Sequence, residues 1–234
     1  MGLFDRLRRT PGGDNVYVYE NARPPEVATG DADLIEAVAA HIEKHIGEPD
    51  LVFHQLVSEY VHVDIHVVQP TEARPWVTLV TSGMSERPMT TPQGIGPEYS
   101  RAELTMALPP DWPIHSKEER HYWPFRILQD IATLPHKYDS WVWIDHTIPN
   151  DDPPKPYAED TGFCCALLGV PVLAGPDFAQ MTDGEHTVTF IAVYPLYEDE
   201  TNLKLNEGAD ALTERLDAAE VTELLDPTRP SVVA

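Results

Sequence analysis

Apolar residues at Leu34, Ile35, Val38, Ile42 and Ile46 recur at helical spacing. Asp31 is placed to cap them, and Gly47 followed by Pro49 stops the pattern, so a helix is predicted over 31–46. From about Leu51 to Gln69 the period changes to two. Val61, Val63, Ile65 and Val67 alternate with His62, Asp64, His66 and Val68, which predicts one extended run with an apolar and a half-solvated face. Trp76–Thr81 and Arg101–Leu108 predict two further strands, the second ended by Pro109-Pro110-Asp111-Trp112-Pro113. A second helix is predicted over about 116–135, with Phe125, Ile127, Leu128, Ile131 and Leu134 as its stripe and Pro124 in its first turn. A short strand at Trp141–Ile144 follows, then the loop Asn150–Pro156, strands at about 163–173 and 187–195, and a closing helix near Ala209–Val221.

Residues 1–30 read as an irregular segment, with Pro11-Gly12-Gly13-Asp14-Asn15 and Pro24-Pro25 as turn chemistry and Val16–Tyr19 as a short edge strand. Residues 31–230 read as a single domain, with no repeat and no long linker. Strands and helices do not alternate strictly, so the fold class is α+β with a mixed sheet rather than a doubly wound one.

Charge changes the picture more than composition does. Sixteen basic against thirty-nine acidic residues give a net charge of −23 in 234 residues. Phosphate neutralisation needs the opposite balance, so nucleic acid is excluded as a partner. An acidic field favours basic protein partners, and it serves solubility equally well. No run of about 18 apolar residues predicts a membrane span, and the start from Met1 to Arg9 lacks a signal-peptide core. Cys164 and Cys165 are adjacent in an apolar run, so buried free thiols and a reducing cytoplasmic setting are expected.

His62-Val63-Asp64-Ile65-His66 is the most tempting chemical motif, because i, i+2 and i+4 of a strand share a face and two imidazoles with a carboxylate can share a metal. The same alternation is also the ordinary pattern of a half-solvated antiparallel strand. His115, His121, His136, His146 and His186 can join such a site only through the fold. Thr81-Ser82-Gly83-Met84-Ser85 is not a nucleophile elbow and reads as a tight turn whose hydroxyls satisfy backbone groups. Gly94-Ile95-Gly96 lacks the third glycine of a dinucleotide loop, and no Walker loop or H-E-x-x-H occurs. No catalytic residue and no cofactor are therefore assigned. Tyr138-Asp139-Ser140-Trp141-Val142-Trp143-Ile144-Asp145-His146 is dense in aromatics that serve either a core strand or a binding surface.

Several segments together resemble the suppressor of fused family in its bacterial single-domain form. They are Val63–Thr71 leading into Trp76–Ser85, Ala102–Pro109 with Trp112, Trp123-Pro124 with the helix after it, and Leu205–Leu212 closing with Asp226-Pro227. The resemblance spans about residues 50–228. It implies an α+β fold like that family's amino-terminal domain, a mixed curved sheet flanked by helices, and no catalysis. The eukaryotic relative grips an extended peptide of a transcription factor between two domains, of which this chain resembles the first. Asp139, ahead of Trp143, matches the family's peptide-contacting aspartate, and Leu134 stands where the relative uses a tyrosine. Bacterial members have been proposed as immunity proteins that neutralise toxins. The expected function is thus a non-catalytic protein-binding module with Tyr138, Asp139, Trp141 and Trp143 at its surface. A metal-binding protein or metalloenzyme using His62, Asp64 and His66, and a regulatory subunit of a larger complex, are the alternatives.

Overall fold

The structure, a computed structural model, describes residues 6–19, 21–25, 30–55 and 59–233. Met1–Asp5 at the amino terminus and the centre of the predicted 51–69 run lie outside the described residues. The elements are β1 (Arg6–Arg9), β2 (Asn15–Val18), α1 (Ala32–His45), β3 (Leu51–Phe53), β4 (Asp64–Val68), β5 (Val77–Ser82), β6 (Ala102–Leu108), α2 (Glu119–Lys137), β7 (Thr147–Pro149), β8 (Cys165–Gly169), β9 (Gln180–Thr182), β10 (Thr187–Leu196), α3 (Glu198–Glu207) and α4 (Ala209–Ala218).

The main sheet runs β3-β4-β5-β6-β10-β8-β7, with β9 added against the start of β10. Among the strand pairs of the described residues only β6–β10 is parallel, so the sheet is mixed and the α+β class holds. Period two explains how this sheet carries two cores. Ile65, Val67, Leu79, Met106, Ile191 and Val193 point to the α2 side, where they meet Trp123, Ile127 and Leu128. On the opposite side Val68, Val80 and Phe190 meet Leu34, Val38 and Ile42 of α1. Farther along that side Leu167 and Tyr194 meet Leu203 of α3 and Leu212 and Leu216 of α4. Covering both faces removes most apolar area from water, the dominant favourable term in folding.

α1 follows the sequence expectation closely: Asp31 accepts from the Leu34 N–H at 3.1 Å, and Leu34, Val38 and Ile42 are buried. Other expectations need correction. The single run over 51–69 is two strands, β3 and β4, paired antiparallel with Leu51 opposite Val67 and Phe53 opposite Ile65. The polar face of β4 is half-solvated only at its start: Asp64 stays partly exposed, while His66 is buried and Val68 packs against the α1 core. α2 begins at Glu119, so Pro124 lies in its second turn. The helix still continues through Pro124 and Pro135, with the burial of Trp123 and Phe125 offsetting the lost backbone bond. Trp141–Ile144 is no strand. The Asp145 backbone is left-handed at φ 69° and the His146 N–H returns to the Trp143 carbonyl at 3.0 Å, which makes a turn.

Within 1–30, the described residues 6–18 form regular structure beyond the short edge strand expected at Val16–Tyr19. β1 and β2 form a separate two-stranded sheet, and its turn docks on α3 through the Gly12 N–H to the Leu205 carbonyl and an Asp14–Lys204 ion pair at 2.7 Å. A Cβ on Gly12 would lie 2.6 Å from the backbone of Gly208, so only glycine permits this approach.

Candidate functional site

The four residues chosen as a binding surface lie on the connection from the end of α2 to β7. Trp141 and Trp143 stack at 5.6 Å between ring centroids and 11° between planes. Tyr99, which is exposed, meets Trp143 edge-on at 5.4 Å, and its carbonyl accepts the Trp141 indole N–H at 2.9 Å. His146 completes the group. Its ring lies edge-on to Trp141, and its Nδ1 accepts the Trp143 backbone N–H at 3.2 Å. Accepting that bond requires a neutral ring, and burial with nearby Lys204 pushes the His146 pKa down to about 4. Both tryptophans stay partly exposed, so three rings form a ledge at the surface whose backbone is fixed from beneath.

Tyr138 and Asp139 are not part of this stack. They meet the amino-terminal segment instead. Tyr138 stacks on Tyr19 at 5.0 Å, and Asp139, held at φ 45°, pairs with Arg23 at 3.5 Å. The Arg23 N–H also donates to the Lys137 carbonyl, and the Tyr60 hydroxyl donates to the Arg23 carbonyl. Leu134 is partly buried against the α2-side core and presents no polar tip. Nothing in the composition of residues 19–23 signals these contacts, which depend on the fold.

The histidine motif is rearranged. His62 precedes β4, and its Nε2 lies 3.0 Å from Asp64 Oδ1. The other oxygen, Oδ2, is 2.9 Å from the Nδ1 of His54, a residue outside the sequence motif. His66 is not in this group. It is buried between Val52 and Val80, its Nδ1 has no hydrogen-bond partner among the described residues, and burial lowers its pKa. Among the described residues His54, His62 and Asp64 are the one set of three whose ligand atoms lie within 4.8 Å of one another. The register could have revealed His54, because Phe53 opposite Ile65 places His54 opposite Asp64.

The turn at Thr81–Ser85 holds the Thr81 and Ser85 hydroxyls in hydrogen bonds, but their partner is a side chain, and the buried Ser82 hydroxyl has no partner among the described residues. Fully buried Glu103 accepts from Thr81 Oγ1 and Ser85 Oγ at 2.6 Å each, and from the Gly83 and Ser85 N–H groups at 2.9 Å each. Burial raises the Glu103 pKa against these four donors. Among the described residues neither hydroxyl bonds to a histidine; buried His136 donates to the Met84 carbonyl at 3.0 Å. This is an anchor for the β5 turn and not a nucleophile. Cys164 and Cys165 are buried free thiols, with the Cys164 pKa pushed up to about 12 by burial. No helix of the described residues is long and apolar enough to cross a membrane.

The family profile of Suppressor of fused protein (SUFU) matches residues 59–230. The chain belongs to the suppressor of fused family. A suppressor of fused homologue from Neisseria gonorrhoeae has a similar solved structure, with 19% identity and a TM-score of 0.64, covering 87% of this chain and 99% of that one. The Sufu–Fu complex contains a similar chain at 16% identity and TM-score 0.60, covering 90% and 93%. Drosophila Suppressor of Fused matches at 15% identity and TM-score 0.60, with 91% of this chain spanning 52% of that one. No curated protein sequence matches. These likenesses establish the suppressor of fused fold.

Proposed function

We propose that this chain is a non-catalytic protein-binding module whose partner docks on the Tyr99–Trp141–Trp143 ledge and reaches Tyr138 and Asp139. The observation that carries the reading is the stacked, partly exposed Trp141–Trp143 pair on a backbone fixed from beneath. Rigid aromatic rings give large contact area at low entropic cost and are the usual anchors of interfaces. One solved relative is a complex with a protein, Fu, which supports a protein as the occupant here. The net charge of −23 favours a basic partner and fast capture. A toxin neutralised by direct binding in the cytoplasm fits that chemistry. Asp139 already holds Arg23, so a partner cation reaches it by displacing an internal one.

Affinity capture from the cells that make the chain, at low ionic strength and then with rising salt, tests this reading. A retained basic protein released by salt is expected, since exposed charges are screened beyond about 8–10 Å at physiological salt. No retained protein at low salt contradicts it.

A further inference from the structure

The His54, His62 and Asp64 cluster belongs to a different part of the molecule from the ledge, and nothing in protein binding requires it. It is assembled from two strands. β3 and β4 pair so that His54 falls opposite Asp64, and His62 lies two residues before Asp64 on the same side. Gln55 fixes the geometry between them. Its backbone N–H donates to Asp64 Oδ1 at 3.3 Å, and its side-chain carbonyl accepts the Val63 N–H at 3.1 Å.

Two features separate this group from an ordinary surface ion pair. First, one carboxylate faces two imidazoles, at 2.9 and 3.0 Å through different oxygens. Donors bound to one zinc ion at about 2.0–2.1 Å sit roughly 3.3 Å apart, and the three ligand atoms here lie within 4.8 Å of one another, so rotation of the exposed side chains brings them onto one metal. Second, the surroundings are acidic: Glu86 lies within electrostatic reach of Asp64, Asp31 and Glu103. The His54 side chain is 66% and that of His62 42% exposed, which leaves a way in for an ion and room for water ligands.

We propose that His54, His62 and Asp64 form a three-ligand site for a first-row divalent metal ion, with Zn²⁺ the best match. Two imidazoles and a carboxylate suit zinc better than the oxygen-seeking Ca²⁺ or Mg²⁺. On binding, each imidazole turns its unprotonated nitrogen to the ion and carries its proton on the other nitrogen. The ion ties the end of β3 to the segment leading into β4. This site stands independently of the partner-binding reading.

The test uses the full chain without a histidine tag, stripped of metal, and titrated with Zn²⁺ by calorimetry and with Co²⁺ by visible absorption. One Zn²⁺ per chain is expected, together with a thermal midpoint that rises with added Zn²⁺. His54→Gln and His62→Gln should each weaken binding by at least ~10-fold, the loss typical of even indirect changes at metal sites. His186→Gln, which removes a histidine paired with Asp183 at 3.3 Å and outside the cluster, should leave binding unchanged. Circular dichroism of the variants confirms that they fold, as expected for two exposed side chains. Substoichiometric Zn²⁺, or binding that survives both ligand substitutions, overturns the proposal.

Discussion

The ledge after α2 and the paired strands β3 and β4 each bring aromatic rings together, yet they are built in opposite ways. Trp141, Trp143 and His146 lie within six residues of one another, and the chain closes on itself through the His146 bond to the Trp143 N–H. His54 and Asp64 come from two strands and meet only through register. A segment rich in chemistry on one stretch of chain is therefore readable from order alone. A group whose members face each other across strands needs the pairing first. The regular H-x-D-x-H spacing suggests His66 as a third member, but His66 is buried apart from the cluster and His54 lies beside Asp64.

The largest expected effect sits beneath the hairpin. Gly83 has φ 110°, and a Cβ there would lie 1.8 Å from the His62 carbonyl oxygen. Gly83→Ala should cost about 3 kcal/mol or more in urea unfolding, through strain and a backbone clash, and should displace His62 while leaving the ledge in place. Loss of stability with an unchanged tryptophan environment in the native state would sharpen the distinction between the regions. Glu103→Gln follows, at about 2–3 kcal/mol, because one amide oxygen cannot serve four donors and its NH₂ faces one or more of them. An unchanged denaturation midpoint would break the assignment of Glu103 as the anchor.

The ledge should respond in binding more than in folding. Trp143→Ala is expected to weaken partner affinity by about 2 kcal/mol, some 30-fold, measured by calorimetry with the captured protein. Its effect on stability should be smaller, since the ring is only partly buried.

The ledge should also carry a pH signature. The folded-state pKa of His146 is depressed to about 4, so as pH falls from 6.5 to 4 the unfolded chain takes up a proton that the folded chain refuses. Stability is complete above pH 6.5 and falls through that window, by about 3 kcal/mol for this group. Glu86 acts in the opposite sense. Burial raises its pKa to about 7, so its contribution falls as pH rises from 4.5 to 7. His146→Asn, which keeps an acceptor and removes the titration, should flatten only the first slope in pH-dependent unfolding.

The smallest effect on stability is expected at Arg23→Ala, about 0.5 kcal/mol, because the Arg23–Asp139 pair is partly exposed at 3.5 Å. The same change should raise affinity for a basic partner by freeing Asp139. A drop in affinity would show that Arg23 is part of the docking surface rather than a placeholder on it.

Much of the fold was legible because burial is periodic. α1, β5, β6 and β10 lie where their apolar spacing put them. What escaped has little periodic signal. β7 and β9 are three residues each and exist only by pairing with β8 and β10. α3 is polar along most of Glu198–Glu207, with Leu203 its one buried large apolar residue, and it is set by Glu200, which accepts the Tyr197 N–H and binds Arg229. Trp141–Ile144 alternates like a strand but turns, since Asp145 adopts a left-handed backbone. At the site the aromatic density was visible and its partners Tyr99, Tyr19 and Arg23 were not, because they arrive from distant parts of the chain.

Capture of the partner on three immobilised forms, the unaltered chain, a Trp141→Ala/Trp143→Ala variant and a His54→Gln/His62→Gln variant, separates the two regions most directly. Retention of the same protein by the unaltered chain and the histidine variant, with loss on the tryptophan variant, is the predicted result. Equal retention on all three forms would contradict the placement of the binding surface on the ledge.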